Sequence, residues 1–244
     1  MNNGIWIRAF ILFSVLLLPG MSAATEPALT AGQVSRMTGN KVAEARLPDG
    51  NPRKLSVGDP IYVGEHISTD KDTSVFLQFA DESRFSLGPN TEFVIEKFKY
   101  AHGGDDDAFH SRMIKGVFRF VSGLIAHAKG RDMVVTTKVA TLGIRGTQVE
   151  GEVTDREVKD GATVDASAKF VLLEPEEAGK QTSIIVSNEF GSVIIDQPGY
   201  GTEIPDEKSP PSPVRKMQLH TVENVLRALR SSMRQSGTAR PRMP

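Results

Sequence analysis

The sequence predicts an all-β fold of many short strands, and two observations carry that expectation. Between Gly58 and Thr147 six polar turns punctuate the chain: Gly58-Asp59, Gly64-Glu65, Thr69-Asp70, Asp81-Glu82-Ser83, Gly88-Pro89-Asn90 and Gly146-Thr147. The runs around them, such as Val75–Phe79, Arg84–Leu87 and Glu92–Phe98, alternate apolar with polar residues, the period of a strand with one buried face. Connections this short leave no room for the long crossover helices of a doubly wound enzyme.

The first element is an address label. Arg8 precedes the apolar run Ala9–Leu18, which Pro19-Gly20 ends, and Ser22-Ala23-Ala24 supplies the small residues read by a signal peptidase. A membrane span needs roughly twenty apolar residues, and this run stops at about half that length. Residues 1–24 are therefore expected to be a signal peptide cleaved after Ala24, giving a periplasmic or secreted protein. The chain contains no cysteine, which removes disulfides, thiolate chemistry and a lipidated N-terminal cysteine together. A domain over residues 25–197 is long enough to bury a core without such staples.

Within that domain Val75, Leu77 and Phe79 are expected on one face of a strand, and Ser74, Phe76 and Gln78 on the other. Phe85 and Leu87, then Phe93 and Ile95, continue the apolar face in two further strands, and the three in series read as a meander. Residues 101–110 break the pattern with His102, Asp105-Asp106-Asp107 and His110 among glycines. The cluster suggests a metal site, but adjacent aspartates cannot all reach one ion and the alternating spacing of a calcium loop is missing. A solvated hairpin loop is the expectation. Strands are then expected over 111–122, 124–128 and 133–139.

In Leu142-Gly143-Ile144-Arg145-Gly146-Thr147 the two glycines suit left-handed or crowded backbone. Arg145 between them reads either as an anion-binding arginine or as a clamp bonding neighbouring carbonyls, and the tight glycines favour the clamp. Residues 155–166 look like a long hairpin tip. Lys169–Leu173 is a buried strand, 174–180 a turn, and Thr182–Ser187 with Ser192–Asp196 a last hairpin.

Five prolines in 198–213 predict an extended linker. Over 214–236 Val214, Met217, Val222, Val225, Leu226, Leu229 and Met233 recur at helical spacing, with Arg227, Arg230 and Arg234 forming a cationic ridge beside them. This amphipathic helix is expected to dock on its own domain as an end cap or on a second copy, with a separate partner or an anionic membrane surface as alternatives. Residues 237–244 are expected to be disordered. From Ser209 onward seven basic residues accompany one acid, while 25–208 carry a net charge of −8. An acidic body gives no reason to expect a nucleic-acid partner.

The residues just described resemble the FecR-like domain family. The resemblance runs through Gly58-Asp59-Pro60-Ile61, Gly64-Glu65-His66-Ile67-Ser68-Thr69, Leu77-Gln78-Phe79-Ala80-Asp81, Ser83, Asn90-Thr91-Glu92-Phe93, Gly116-Val117-Phe118, Thr136-Thr137 and Arg145-Gly146-Thr147, covering 55–150. It implies an exported, non-enzymatic, rolled and solenoid-like stack of strands. The best-known member type senses siderophore transporters and signals inward to a sigma factor. Two residues depart from the pattern: Glu82 stands where the family has glycine, which predicts a looser turn, and Lys138 replaces a common proline. The cytoplasmic segment of the signalling type has no counterpart in the short stretch before the apolar run.

The sequence thus predicts a binding or scaffold module of the cell envelope that recognises a protein or cell-wall component through sheet edges and loops, by strand addition or loop contact. The 101–110 loop, the 155–166 tip and the cationic ridge are its candidate contact surfaces. No cofactor or metal is implied. The motif residues Gly58, Asp59, Gly64, Thr69, Asp81, Ser83, Gly116, Arg145, Gly146 and Thr147 are assigned to structure. Two alternatives stand: a membrane-anchored signal-transducing regulator, and a glycan-acting hydrolase using acids such as Asp81 and Glu82. Adjacent strand residues face opposite ways, so that pair argues little for hydrolysis.

Overall fold

A computed structural model describes residues 28–127, 132–159, 161–176 and 182–219. The signal-like segment, the Arg227/Arg230/Arg234 ridge and the 237–244 tail lie outside the described residues.

In chain order the strands are β1 (Thr30–Gly39), β2 (Ala43–Arg46), β3 (Arg53–Lys54), β4 (Pro60–Tyr62), β5 (His66–Thr69), β6 (Thr73–Phe79), β7 (Arg84–Leu87), β8 (Glu92–Lys99), β9 (Ala108–Val121), β10 (Asp132–Thr136), β11 (Thr141–Arg145), β12 (Gln148–Thr154), β13 (Glu157–Lys159), β14 (Ala162–Val164), β15 (Ser167–Leu173), β16 (Ser183–Asn188), β17 (Gly191–Ile195), β18 (Tyr200–Ile204) and β19 (Arg215–Lys216). The described residues are all-β, with one turn of 3₁₀-helix. Among the described residues no helix is long and apolar enough to cross a membrane.

The pairings resolve into two layers that share one strand. Sheet A runs β4-β1-β6-β7-β9-β12-β15-β18-β19. Sheet B runs β3-β2-β5-β8-β9-β10-β11-β16-β17. The first half of β9 lies between β8 and β10, and its second half between β7 and β12. The change comes between Lys115, opposite Glu92 in sheet B, and Gly116, opposite Val153 in sheet A. Gly116 has φ +110°, a shape only glycine takes readily. After β9 the turn of 3₁₀-helix Leu124–His127 leads back to sheet B, where β10 pairs parallel to β9.

The alternating apolar residues meet between the layers. Phe79 of sheet A packs against Phe98 and Phe109 of sheet B, with ring centroids 5.6 and 4.5 Å apart. Phe85 reaches Phe93 at 4.7 Å and Phe120 at 4.6 Å. These buried rings contribute large apolar area and offset or edge-on contacts. A slip of one residue in β6 or β7 would turn them to solvent, so the core fixes the register.

Several expectations need correction. The three strands β6, β7 and β8 are not a meander: β7 pairs with β6 and β9, while β8 belongs to the other sheet, beside β5 and β9. Alternation specifies a buried face but not which neighbour shares it. Ala108–His110 are not loop but the start of β9, with Phe109 in the core. Leu124–His127 is a 3₁₀ turn rather than a strand. Thr30–Gly39 and Ala43–Arg46, to which the sequence pattern assigned no strand, form β1 and β2.

The proline-rich stretch is no free linker either. Gly201–Ile204 of β18 pair with β15, and Thr202 and Ile204 are fully buried. Pro210 and Pro211 lie beside Gly191 at the start of β17, and Asn188 donates to the Ser209 carbonyl at 2.8 Å. Prolines at that position shield part of an edge strand. The start of the expected helix is also extended: Arg215–Lys216 pairs with Tyr200–Gly201. Met217 and Leu219 then cover Val117 and Val171 on the outer face of sheet A. Residues 220–236 of that expected helix lie outside the described residues.

Candidate functional site

Apart from Arg145, the residues singled out by motif form turns and hydrogen bonds within the body. Gly58 and Gly64 have φ of +93° and +88°. The Gly58 amide donates to Val34, and the Val34 amide to the Asp59 carbonyl at 2.9 Å, tying that turn to β1. Asp59 accepts from the Ser56 amide. The Gly64 amide reaches Ile95 at 2.7 Å, joining a turn beside β4 to β8. Thr69 is buried; its hydroxyl donates to Gly88 O at 2.7 Å and accepts from the Thr91 amide at 2.9 Å. Gly146 takes φ +59°, and the buried Thr147 exchanges hydrogen bonds with Ser122.

Asp81 and Ser83 form a buried latch. Ser83 donates its amide and hydroxyl to the Asp81 carboxylate at 3.1 and 2.7 Å, while its Oγ accepts from the Gly123 amide at 2.9 Å. The Leu124 amide adds a bond to Asp81 O at 2.7 Å. The β6–β7 turn is thereby pinned to the end of β9. The expected loosening at Glu82 does not occur. Glu82 takes φ +69° within a closed turn whose amide bonds reach Phe79. A residue with a Cβ held there stores about 1 kcal/mol of strain, maintained by the latch.

Burial pushes the Asp81 pKa above its ordinary 3.8, and hydrogen bonds from Ser83 and Ile125 pull it partly back. A carboxyl whose pKa is raised on folding contributes its full stability below the unfolded value, and that contribution is lost as pH climbs through the folded value. Asp81→Asn removes the charge and can keep the turn bonded. Its stability relative to the natural chain is therefore expected to rise from about pH 4 to about pH 7. Urea midpoints across that range check this, and parallel pH profiles would contradict it.

Arg145 is not a clamp. Its strand puts Leu142 and Ile144 inward, so Arg145 is exposed at the end of β11, and it bonds no neighbouring carbonyl among the described residues. Gly143 is not crowded either; an added Cβ would meet Ile185 only at 3.9 Å. The sequence missed the residue that does clamp. Arg53 sends Nε and Nη2 to the buried Glu65 carboxylate at 3.0 and 2.8 Å, and its Nη2 also reaches Pro60 O at 2.6 Å. A lone arginine near a Gly-Glu turn was the available signal, but its partner lies twelve residues away.

In the 101–107 loop Asp107 is buried and accepts from the Ala101 and Gly103 amides at 2.6 and 2.9 Å, while Asp106 pairs with Lys99. The aspartates diverge, and no cluster suited to a metal occurs among the described residues.

Three surfaces are presented outward. The β13–β14 hairpin forms a two-stranded sheet of its own, apart from sheets A and B. Val158 on it is 75% exposed. Half-exposed ion pairs brace its base: Lys138 to Asp155 and Glu207, and Arg156 to Asp165 and Glu207. Lys138, the departure from proline, thus has partners, and its hydrogen bond to Asp155 holds its pKa up. A second surface is a hollow beside β5 and β8, where His66 and Lys115 flank Glu92 at 3.3 and 2.8 Å. The third is a groove on the outer face of sheet A, lined by Arg36, Phe76, Arg84, Ser86 and Arg119.

Inward-facing turn motifs under two shared sheets define an all-β module whose outward faces are independent of its motifs. Residues 65–167 match the family model described as FecR protein, so the chain carries a FecR-like domain, of a family related to signalling and regulation. No curated protein matches the chain, and no solved structure does. The matched segment spans β5 through the start of β15 and includes the β13–β14 hairpin.

Proposed function

We propose that the chain is an exported, non-enzymatic binding module of the cell envelope that recognises a protein or cell-wall partner through its projecting hairpin. On this reading residues 1–24 are removed after Ala24, and the mature protein works in the periplasm or beyond as a rolled stack of strands. The observation that carries it is the β13–β14 hairpin, a separate small sheet with exposed Val158 and Val164 held at a braced angle. Exposed apolar side chains on an arm that stands apart from both sheets, Val158 on one face and Val164 on the other, suit intermolecular contact.

A photo-crosslinking amino acid at Val158, introduced in cells, tests this. A discrete adduct is expected there and not at exposed Lys71, on the β5–β6 turn. Identical adducts at both positions would remove the hairpin from the binding role.

The signalling association of the family supports a second reading, a regulator anchored by the segment before Gly20. The mass of the mature N-terminus separates the two: a chain beginning at Thr25 supports the exported module, and an intact Met1 the regulator.

A further inference from the structure

The groove on the outer face of sheet A is assembled by register and by one irregularity. Arg36 of β1 pairs with Phe76 of β6, Phe76 with Ser86 of β7, and Ser86 with Arg119 of β9. These four residues therefore form one row across the strands, and Arg84 stands in the next row, opposite Gln78 and Val121. In β1 the register shifts between Val34 and Arg36, leaving Ser35 as an extra residue whose hydroxyl donates to Phe76 O at 3.1 Å. A bulge of this kind re-aims the neighbouring side chain. Arg36 lies over the Phe76 ring, with Cζ 5.2 Å from its centroid.

The result is an open hollow of about 330 Å³ with three guanidinium groups around an aromatic floor. It sits on a body whose net charge is −8, so this concentration of arginine runs against the composition around it. Arg119 is already held by Gln148 and faces Glu150 across the strand pair. Arg36 and Arg84 are the cations turned toward the opening.

The hollow already contains a carboxylate. Glu176 enters it from the segment after β15 and pairs with Arg84. That segment reads Glu174-Pro175-Glu176-Glu177, three acids in four residues. The side chains of the pair are 46% and 56% exposed, and ion pairs that open to water are among the weakest.

We infer that this groove docks an acidic, extended peptide segment of a partner protein, and that the chain's own Glu174–Glu176 stretch competes for it. Guanidinium forks suit the paired oxygens of carboxylates. The carboxylate that reaches it, Glu176, is a side chain of an acidic stretch of polypeptide, which favours a protein segment over an anionic glycan. The site is separate from the hairpin and stands or falls apart from it.

The probe is a fluorescein-labelled peptide of sequence Leu-Glu-Pro-Glu-Glu-Ala-Gly, titrated with residues 25–244 and followed by anisotropy. Glu176→Gln frees Arg84 and is expected to tighten binding about threefold. The double change Arg36→Glu with Arg84→Glu is expected to weaken it at least about tenfold. Thermal melts of both variants verify that the fold persists, and Lys71→Ser on the exposed β5–β6 turn should leave peptide binding unchanged. Equal binding by the natural chain and the double variant would overturn the assignment, as would absence of binding even by Glu176→Gln. Tighter binding of oligogalacturonate than of the peptide would assign the groove to glycan and overturn the peptide.

Discussion

Arg53→Met is expected to destabilise the protein by about 3 kcal/mol, because it leaves the Glu65 carboxylate buried without its counter-charge. Glu65 has a side chain only 2% exposed, against 34% for Arg53. In the natural chain the carboxylate receives Nε and Nη2 of Arg53 and the Tyr62 amide at 2.9 Å. The guanidinium also stacks near the Tyr62 ring, with Cζ 5.5 Å from its centroid. Removing the arginine leaves one amide to solvate a full charge, and the open side of the Arg53 site admits only some water in compensation. Changing both partners, Arg53→Met with Glu65→Leu, is expected to recover most of the loss, since apolar replacements of buried pairs are often near neutral. Urea unfolding of the four chains gives the coupling energy directly. Full additivity of the two changes would show that the pair is not the clamp of this corner.

The strand faces were legible in the sequence because side-chain alternation is local. Phe79, Phe85, Phe93 and Ile95 lie in the core where the period of two puts them. The turns were legible for the same reason: Gly58, Gly64 and Gly146 need positive φ, and glycine advertises it. What could not be read is which strand lies beside which. The pairing of β7 with the second half of β9 and of β5 with β8 joins residues far apart in sequence, and no local pattern encodes that choice. The proline-rich stretch misled for a related reason. Its composition is that of a linker, yet Thr202 and Ile204 are held by β15 across the sheet.

The candidate surfaces divide along the same line. The hairpin at 155–166 was visible as a polar interruption between two apolar runs, and among the described residues its strands β13 and β14 pair in a ladder with each other alone. The arginine groove was invisible, since Arg36, Arg84 and Arg119 are isolated residues in three different runs. Only the sheet brings them into adjacent rows. Arg145 shows the converse: two flanking glycines suggested a packed arginine, but strand parity alone sends it outward. Motif spacing identified the residues that make the turns, whereas the arginines of the groove stand on β1, β7 and β9 and meet only through the strand register.

Gly116→Ala is expected to cost about 3–5 kcal/mol, the sum of backbone strain and overpacking at one position. The residue sits where β9 passes from sheet B to sheet A, with φ +110°. A Cβ there would lie 2.6 Å from the Thr91 Cα and closer still to Thr91 Oγ1. Thr91 cannot move away cheaply. Its amide bonds Thr69 Oγ1 at 2.9 Å, its carbonyl accepts from the Thr69 amide at 3.0 Å, and the residue is fully buried. The alternative relaxation is a shift of β9, which would carry Phe109, Met113, Phe118 and Phe120 with it and disturb both halves of the core. Since β9 is the strand shared by the two layers, strain at its bend is felt by both. Urea unfolding should therefore show one lowered midpoint with an unchanged slope, whether followed by far-ultraviolet circular dichroism or by hydrogen exchange in β5 and β12. Two separate transitions, or a loss below about 1 kcal/mol, would mean that the layers are held together by something other than this strand.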